Sequence, residues 1–319
     1  MQAEQALTRP QVRGRSPWVQ VAHRFLRRKV GVISLAVIVV LYLSGVLAPW
    51  VAPYSYREQN LEQALQGPSL RHPFGTDRLG RDLFSRTIFA VRTTVIVTIA
   101  AVVTGGIIIG VVLGLISGYF GRLADAVIMR VGEVFLAFPG LLLVLLIAAT
   151  VKPRVLDWVR AFEDATGIEG IVRVGIVDYV VVFGAIAAYG WVGMARLVRG
   201  QVLQLKESQF IESAIAVGAS QWRILLVHIL PNLLSPIVVV VSMGMGAAAG
   251  SEVVLSWLGI GIQPPTPSLG VMIFENGNIS VLRTYPHLVL FPVGIVAIII
   301  FAFNLLGDAL NDAINPRIH

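Results

Sequence analysis

The chain has 319 residues, of which 56% are hydrophobic and 13% are charged, whereas soluble domains carry about 25% charged residues. A mean hydropathy of +0.78 excludes a disordered chain, and the absence of cysteine excludes a disulfide scaffold, a zinc–thiolate site, an iron–sulfur cluster and cysteine catalysis. The net charge of +7 would suit either nucleic-acid binding or the cytoplasmic edge of a membrane protein, so the positions of the charges decide.

Six apolar runs without charged residues follow one another along the chain. They comprise residues 30–53, 93–121, 134–151, 179–195, 229–251 and 288–307. A helix needs about 20 such residues to cross the hydrocarbon core. The third and fourth runs have 18 and 17 residues, so their helices are expected to recruit neighbours such as Ile128, Met129 and Val180. The sequence predicts an all-α polytopic membrane bundle with six transmembrane helices.

The charges predict the orientation of this bundle. Residues 1–29 form a basic tail with seven basic residues and one acid, which places the amino terminus in the cytoplasm. The first run is expected to stay attached as a helix, because Pro49, Trp50 and Pro53 close it without a cleavage site. Both termini are then cytoplasmic. The transmembrane domain, residues 30–319, has an outer segment at 54–92, an outer insertion at 152–177 and a cytoplasmic loop at 196–228.

The sequence carries few groups suited to catalysis. It has no glycine-rich phosphate loop ending in Gly-Lys-Ser/Thr and no His-x-x-x-His pair, and its five histidines are scattered. No grouping of nucleophile, base and orienting residue is visible. The chain is therefore predicted to be no enzyme and to hold neither metal nor cofactor.

Glu252 is the exception to the rule that charges avoid the apolar runs. It could line a polar path or proton relay, as in a proton-coupled carrier acting alone, because ionisable groups in membranes are costly and kept for a task. The alternative, which we favour, is a solvated or hydrogen-bonded residue near the outer end of the fifth run. Glu252, Ser256 and Trp257 are the candidates for the pore or its outer gate.

Glycines recur at spacings near four within two of the runs. They are Gly105, Gly106, Gly110, Gly114 and Gly118 in the second run and Gly244, Gly246 and Gly250 in the fifth. Small residues at this spacing allow helix backbones to approach closely. We expect these faces to pack against other helices, either of this chain or of a partner.

The loop 196–228 is too long for a simple turn. The residue pattern in the middle of this loop predicts one or two short helices, with Ser208 as the N-cap and Gly218 as the break. Its candidate partner-contact residues are Glu212, Ser213, Ala214, Gly218, Ala219 and Arg223. Small side chains permit close approach and the two charged ones can fix register. From spacing alone, a connector lying on the membrane is equally consistent.

The order Glu212, Ser213, Ala214, then Gly218, then residues 228–232 resembles the signature loop of type I ABC importer membrane subunits. That loop has Glu-Ala-Ala, Gly and Leu-Pro at these separations, from which Ser213 and His228 depart. Residues 74–82, 137–139, 255–259, 263–268 and 304–308 resemble the C component of the dipeptide and oligopeptide permease group. Leu269, in place of Trp, and the long insertion 152–177 depart from that pattern.

The resemblance implies the type I importer permease fold and a loop helix that couples to a cytoplasmic ATPase. The implied partners are a second homologous permease subunit, one or two ATPase subunits, an extracytoplasmic peptide-binding protein and membrane lipid, without nucleic acid. The implied role is translocation of di- or oligopeptides across a bacterial or archaeal cytoplasmic membrane. Nickel or another small solute is the alternative cargo. Arg78, Arg81 and Asp82 are expected to form a structural ion-pair set in the outer segment.

Overall fold

The computed structural model describes residues 17–168 and 170–314, so most of the basic tail lies outside the described residues. Within these ranges the regular structure is helical, and an isolated antiparallel bridge joins Thr76 to Asp82. The helices are α1 Pro17–Leu26, α2 Lys29–Val46, α3 Ala48–Val51, α4 Leu83–Ala101, α5 Val112–Phe120, α6 Arg122–Leu136, α7 Gly140–Thr166, α8 Ile171–Val174, α9 Ile176–Lys206, α10 Gln209–Ala216, α11 Gln221–Arg223, α12 Leu230–Trp257, α13 Leu269–Asn276, α14 Ile279–Thr284 and α15 His287–Ile314. π-Helical segments, Val102–Val111 and Ile224–Ile229, join α4 to α5 and α11 to α12.

Five helical segments are long and apolar enough to cross a membrane. They are Lys29–Val46, Leu83–Phe120, Ile176–Lys206, Gln221–Trp257 and His287–Ile314. A sixth crossing is formed if α6 and α7, which meet at an angle of 92°, are taken as one broken span. The predicted all-α membrane bundle is confirmed, and the third predicted crossing corresponds to this bent pair.

The bend between α6 and α7 has a local cause at Pro139. Pro139 has ψ 122° and precedes the first residue of α7. Proline has no amide hydrogen to donate, and it disfavours helical backbone at the residue before it, Phe138. Ile128 and Met129 lie on α6, across the bend. They belong to the third crossing, as predicted, if α6 and α7 form one broken span.

The insertion 152–177 mostly prolongs the third crossing. Residues 152–166 continue α7 without a break, through Pro153, and α8 follows after a turn. Lys152 bridges to Asp178 at 2.8 Å, which fixes α7 against the start of α9. The helix beyond Lys152 therefore extends past the beginning of α9.

Pairwise packing defines two ends of the bundle. Gly105 lies against Ala187 and Gly118 against Val202, so the α4–α5 helix runs parallel to α9. Since α9 leads to α10, α4 begins at the opposite end, which we call the α13 end. Gly45, near the end of α2, packs on the backbone of Arg92, so α2 runs from the α10 end to the α13 end.

The described parts of both termini lie at the α10 end. Arg28, just before α2, forms an ion pair with Asp312 of α15 at 2.6 Å. Gly246 beside Phe303 and Gly307 beside Met243 show that α15 runs antiparallel to α12. The crossings therefore alternate in direction, as the six predicted spans require.

Most of the predicted glycine faces pack within this chain. A Cβ atom on Gly105 would lie 2.5 Å from the carbonyl oxygen of Ala187, and one on Gly114 would lie 2.6 Å from Cβ of Val198. Only glycine permits this approach, so Gly105, Gly110, Gly114 and Gly118 form a close seam with α9. Gly244 has open space where its side chain would be, and it faces a cavity described below.

Candidate coupling helix and transport cavity

The short helix α10 has a well-defined end. Gly218 has φ +86°, in the left-handed region that favours glycine. The amide of Ala219 donates to the carbonyl of Ala214 at 3.0 Å and that of Gly218 to Ile215 at 2.9 Å. This is the Schellman pattern that closes a helix, so the predicted break is present. Ser208 stands at the N-cap without a side-chain capping bond and instead donates its hydroxyl to the carbonyl of Leu205. Ser208 thus occupies the predicted cap position but makes no capping hydrogen bond.

α10 is anchored through one face. Ile211 is fully buried and joins an apolar cluster with Val202, Ile224, Leu225 and Ile229. Burying one such side chain stabilises a structure by about 1.5–3 kcal/mol. The opposite face projects from the bundle.

The structure brings the predicted partner-contact residues to the α10 end. Glu212, Ser213, Gly218 and Arg223 are exposed, while Ala214 and Ala219 are half-buried. Glu212 and Arg223 take part in none of the ion pairs of the described residues. Val217 is 89% exposed beside them. The surface thus offers two unpaired charges among small and apolar side chains.

An ion pair joins the helices behind this surface. Arg199 of α9 donates two hydrogen bonds to Asp125 of α6, one of them at 2.6 Å. Ser117 of α5 donates to the same carboxylate. A bidentate pair of this kind fixes geometry as well as adding energy. Three helices that lead to and from the α10 end are therefore held together.

A cavity of about 560 Å³ opens between the π-helical segment Val102–Val111, α7, α9 and α12. Glycines and aliphatic side chains form most of its wall. Tyr189 and Ser251 are the polar side chains among the described residues that line it. No charged side chain of the described residues does so. Such a wall gives a solute little to bind tightly.

Glu252 lies behind this wall. Its side chain is fully buried, and its carboxylate accepts hydrogen bonds from Thr94 at 2.8 Å and Ser256 at 2.9 Å. Of the predicted reading, solvated or hydrogen-bonded, the structure therefore shows the hydrogen-bonded form. Neither Glu252 nor Ser256 lines the cavity, although Ser251 does. Trp257 ends α12 and is 45% exposed.

Comparison with known proteins shows the family to which the chain belongs. Residues 110–319 match the family described as the binding-protein-dependent transport system inner membrane component. Residues 16–68 match the N-terminal transmembrane domain of oligopeptide transport permease C. The chain belongs to this permease family. The resemblance to ABC importer membrane subunits is confirmed.

Several curated relatives cover almost the whole permease. The dipeptide transport system permease protein of Alkalihalophilus pseudofirmus is 36% identical over 302 residues, which is 95% of this chain and 90% of the relative. The oligopeptide transport system permease protein of Bacillus subtilis is 35% identical over 303 residues, with the same shares. The glutathione transport system permease protein of Pectobacterium atrosepticum is 37% identical over 305 residues, or 95% and 92%.

At the α13 end of the permease, Asp77 is the centre of a charge network. Its carboxylate accepts from Arg81 Nε at 2.7 Å, from buried Arg86 and from the amides of Leu79 and Arg81. Both arginines also reach Glu275 of α13. This network fastens the start of α4 to α13.

The expected ion-pair set in this segment was partly wrong. Arg81 belongs to the network, whereas Arg78 is exposed and joins none of the ion pairs of the described residues. Asp82 instead caps α4 through the amide of Ser85 and contacts His72 at 2.9 Å. Sequence inspection missed Asp77, Arg86 and Glu275.

Proposed function

We propose that this permease is one half of the membrane pore of an ATP-driven importer for di- or oligopeptides, coupled to a cytoplasmic ATPase through α10. The observation that carries the proposal is the exposed, unpaired Glu212 on a helix anchored by Ile211. A charged side chain presented among small residues suits a groove in a partner that supplies a cation.

The geometry supports force transmission through α10. Ile211 ties the helix to the cluster that contains α9 and the start of the α12 helix, and the Asp125–Arg199 pair ties α9 to α6. Displacement of α10 by a partner would thus pass to several crossings at once. Switching between two states requires contacts that differ between those states, and ATP-driven closure of the partner would provide the difference.

The remaining partners follow from the two ends of the bundle. In this proposal the α10 end faces the cytoplasm, and the α13 end faces the extracytoplasmic binding protein. A second homologous permease subunit completes the pore around the open cavity, and one or two ATPase subunits contact the α10 end. ATP hydrolysis takes place in those subunits.

Peptide cargo is supported by two observations. The relatives are named for dipeptide, oligopeptide and glutathione transport, and glutathione is itself a tripeptide. The cavity wall lacks charged side chains among the described residues, which suits weak and sequence-tolerant passage. Uptake of a labelled tripeptide and of Ni²⁺ by the assembled transporter, each in competition with the other, separates peptide from metal cargo.

The substitution Glu212→Lys tests the coupling assignment. It is expected to abolish uptake, because it places a cation where the partner would present one, while insertion and pairing with the second permease subunit persist. Glu207→Lys, an exposed acid just before α10, is the matched control and is expected to transport normally. Uptake at the normal rate by the Glu212 variant would show that α10 does not couple through this residue.

A further inference from the structure

A second, smaller pocket lies at the α13 end, separate from both the cavity and the α10 surface. Its volume is about 260 Å³. The residues that shape it include Tyr56, Arg57, Phe89, Arg92, Ile96 and Thr266. They come from the segment before α4, from α4 itself and from the loop before α13.

The pocket is positively charged and has no carboxylate in its lining. Arg57 and Arg92 are exposed and form none of the ion pairs of the described residues. Arg57 donates its Nε hydrogen to the hydroxyl of Tyr56 at 3.1 Å and lies over that ring, 5.3 Å from its centre. This contact orients one guanidinium without neutralising it.

The hydrogen bonds around the pocket leave donors free. The hydroxyl of Thr93 donates to the carbonyl of Pro267 at 2.8 Å, so the hydroxyl of Tyr179, 3.0 Å away, donates to Thr93. All five N–H groups of Arg92 remain unused, as do the four terminal N–H groups of Arg57. A ligand that binds both arginines would supply acceptor oxygens and negative charge.

The depth of the pocket corresponds to the membrane interface. Arg92 directly precedes the charge-free run 93–121. It packs through its backbone against Gly45, at the end of the apolar helix α2. Trp50, four residues after α2, is 80% exposed, and exposed tryptophan is typical of the headgroup level. A guanidinium at this level can bind a headgroup without entering the hydrocarbon core.

Below Arg92, the same face of α4 and the following segment is apolar and exposed. Ile96, Ile99 and Val103 are 42%, 45% and 39% exposed. Their spacing of three and four residues makes them one stripe, directed from Arg92 toward the middle of the span. The face therefore combines cations at the interface with an apolar track into the membrane.

We propose that this pocket binds the headgroup of an anionic phospholipid, with Arg92 and Arg57 on the phosphate and an acyl chain along Ile96, Ile99 and Val103. Basic pockets between membrane helices bind anionic headgroups on the cytoplasmic side of membranes, and the same charge-assisted hydrogen bonds are open to a lipid phosphate at the α13 end. A peptide carboxylate could satisfy the arginines but has no chain to cover the apolar stripe. The proposal does not depend on the nature of the cargo.

Lipid binding by the full chain, purified with the subunits that assemble with it, tests the proposal. Phosphatidylglycerol retained on the complex is counted by native mass spectrometry for wild type, for Arg57→Gln with Arg92→Gln, and for Arg78→Gln as an exposed arginine outside the pocket. Because the double variant loses both guanidinium contacts to the phosphate, we expect it to bind at least about tenfold more weakly. The Arg78 variant should match wild type. Equal retention by the double variant and wild type would overturn the proposal.

A labelling measurement on the unaltered pocket gives an independent test. The chain has no cysteine, so Ile107→Cys, which lies one turn beyond Val103, is 37% exposed and is outside the proposed contacts, can carry a single fluorophore. Phosphatidylglycerol with brominated acyl chains should quench it more strongly than brominated phosphatidylcholine at equal mole fraction, and inorganic phosphate should not reverse the difference. Equal quenching by the two lipids, or displacement by a free tripeptide but not by its amide, would assign the pocket to something other than a phospholipid.

Discussion

Asp77 makes more polar contacts than its position in the loop before α4 would suggest. It is buried, and it accepts hydrogen bonds from two backbone amides and two arginines. Removing one partner of a buried charge pair leaves the other groups unsatisfied, which typically costs 3–5 kcal/mol. The network therefore depends on this one carboxylate.

We expect Asp77→Ala to destabilise the permease by about 3 kcal/mol, because Arg86 and two amides lose their acceptor. The measurement is the thermal unfolding midpoint of the purified complex. Arg78→Ala changes the next residue, which is exposed, and should leave the midpoint unchanged. Equal midpoints for the Asp77 variant and wild type would show that the network adds no stability.

Side-chain placement was predictable where it follows from local spacing. The position of Glu212 on the polar side of α10 and the break at Gly218 were predicted because the pattern lies within a few residues. The Asp77 network was not found, because Arg86 and Glu275 are 189 positions apart in the chain. Glu252 was recognised as unusual, but its partner Thr94 is 158 positions away. Burial by a distant helix leaves no mark in a local pattern.

Among the helices, α10 shows how few contacts position a functional element. Its eight residues bury one large side chain, Ile211, while Ile215 is 54% exposed on the same helix. An isolated helix of this length is not stable in water. Its position must therefore depend on Ile211 and on the closing turn at Gly218.

Ile211→Ala should release α10 from the bundle, since truncating a buried isoleucine costs about 2–5 kcal/mol. Limited proteolysis of the paired permease subunits in inverted vesicles without the ATPase should then cut the segment 207–220 at least about tenfold faster than in wild type. Ile215→Ala removes the same atoms from the exposed face and provides the control. Similar cleavage of the two variants would mean that Ile211 does not hold the helix.

The elements were largely predictable from apolar runs and charge. Five crossings appear as single helical segments over the predicted runs, though the helices extend beyond them, as Leu83–Phe120 does over 93–121. The bend of the third was not predicted, because the charges of the amphipathic helix α6, such as Arg130 and Glu133, placed the start of the apolar run at residue 134. The Ala-Phe-Pro motif at 137–139 was visible in the sequence, but the angle between the two helices that it separates was not.

At the scale of the molecule, the alternating crossings predict which residues each side of the membrane can reach. The described parts of both termini and α10 share one end, and the segment 54–82 lies at the other. If the α10 end is cytoplasmic, Ser213→Cys should react with an impermeant maleimide only in inverted vesicles. Ser55→Cys should react only in right-side-out vesicles. The reverse labelling pattern would show that the α13 end, and not the α10 end, faces the cytoplasm.

The glycine seam between the α4–α5 helix and α9 limits how this permease can move. Gly110 and Gly118 leave less than 3 Å between a would-be Cβ atom and Met194 or Val202, so neither helix can slide past the other without a steric clash. The two helices must behave as a single rigid lever during any opening of the pore. Any change in the angles between helices must then occur elsewhere in the bundle. The break between α6 and α7 at Pro139 is one place where the third crossing can bend without separating α4–α5 from α9.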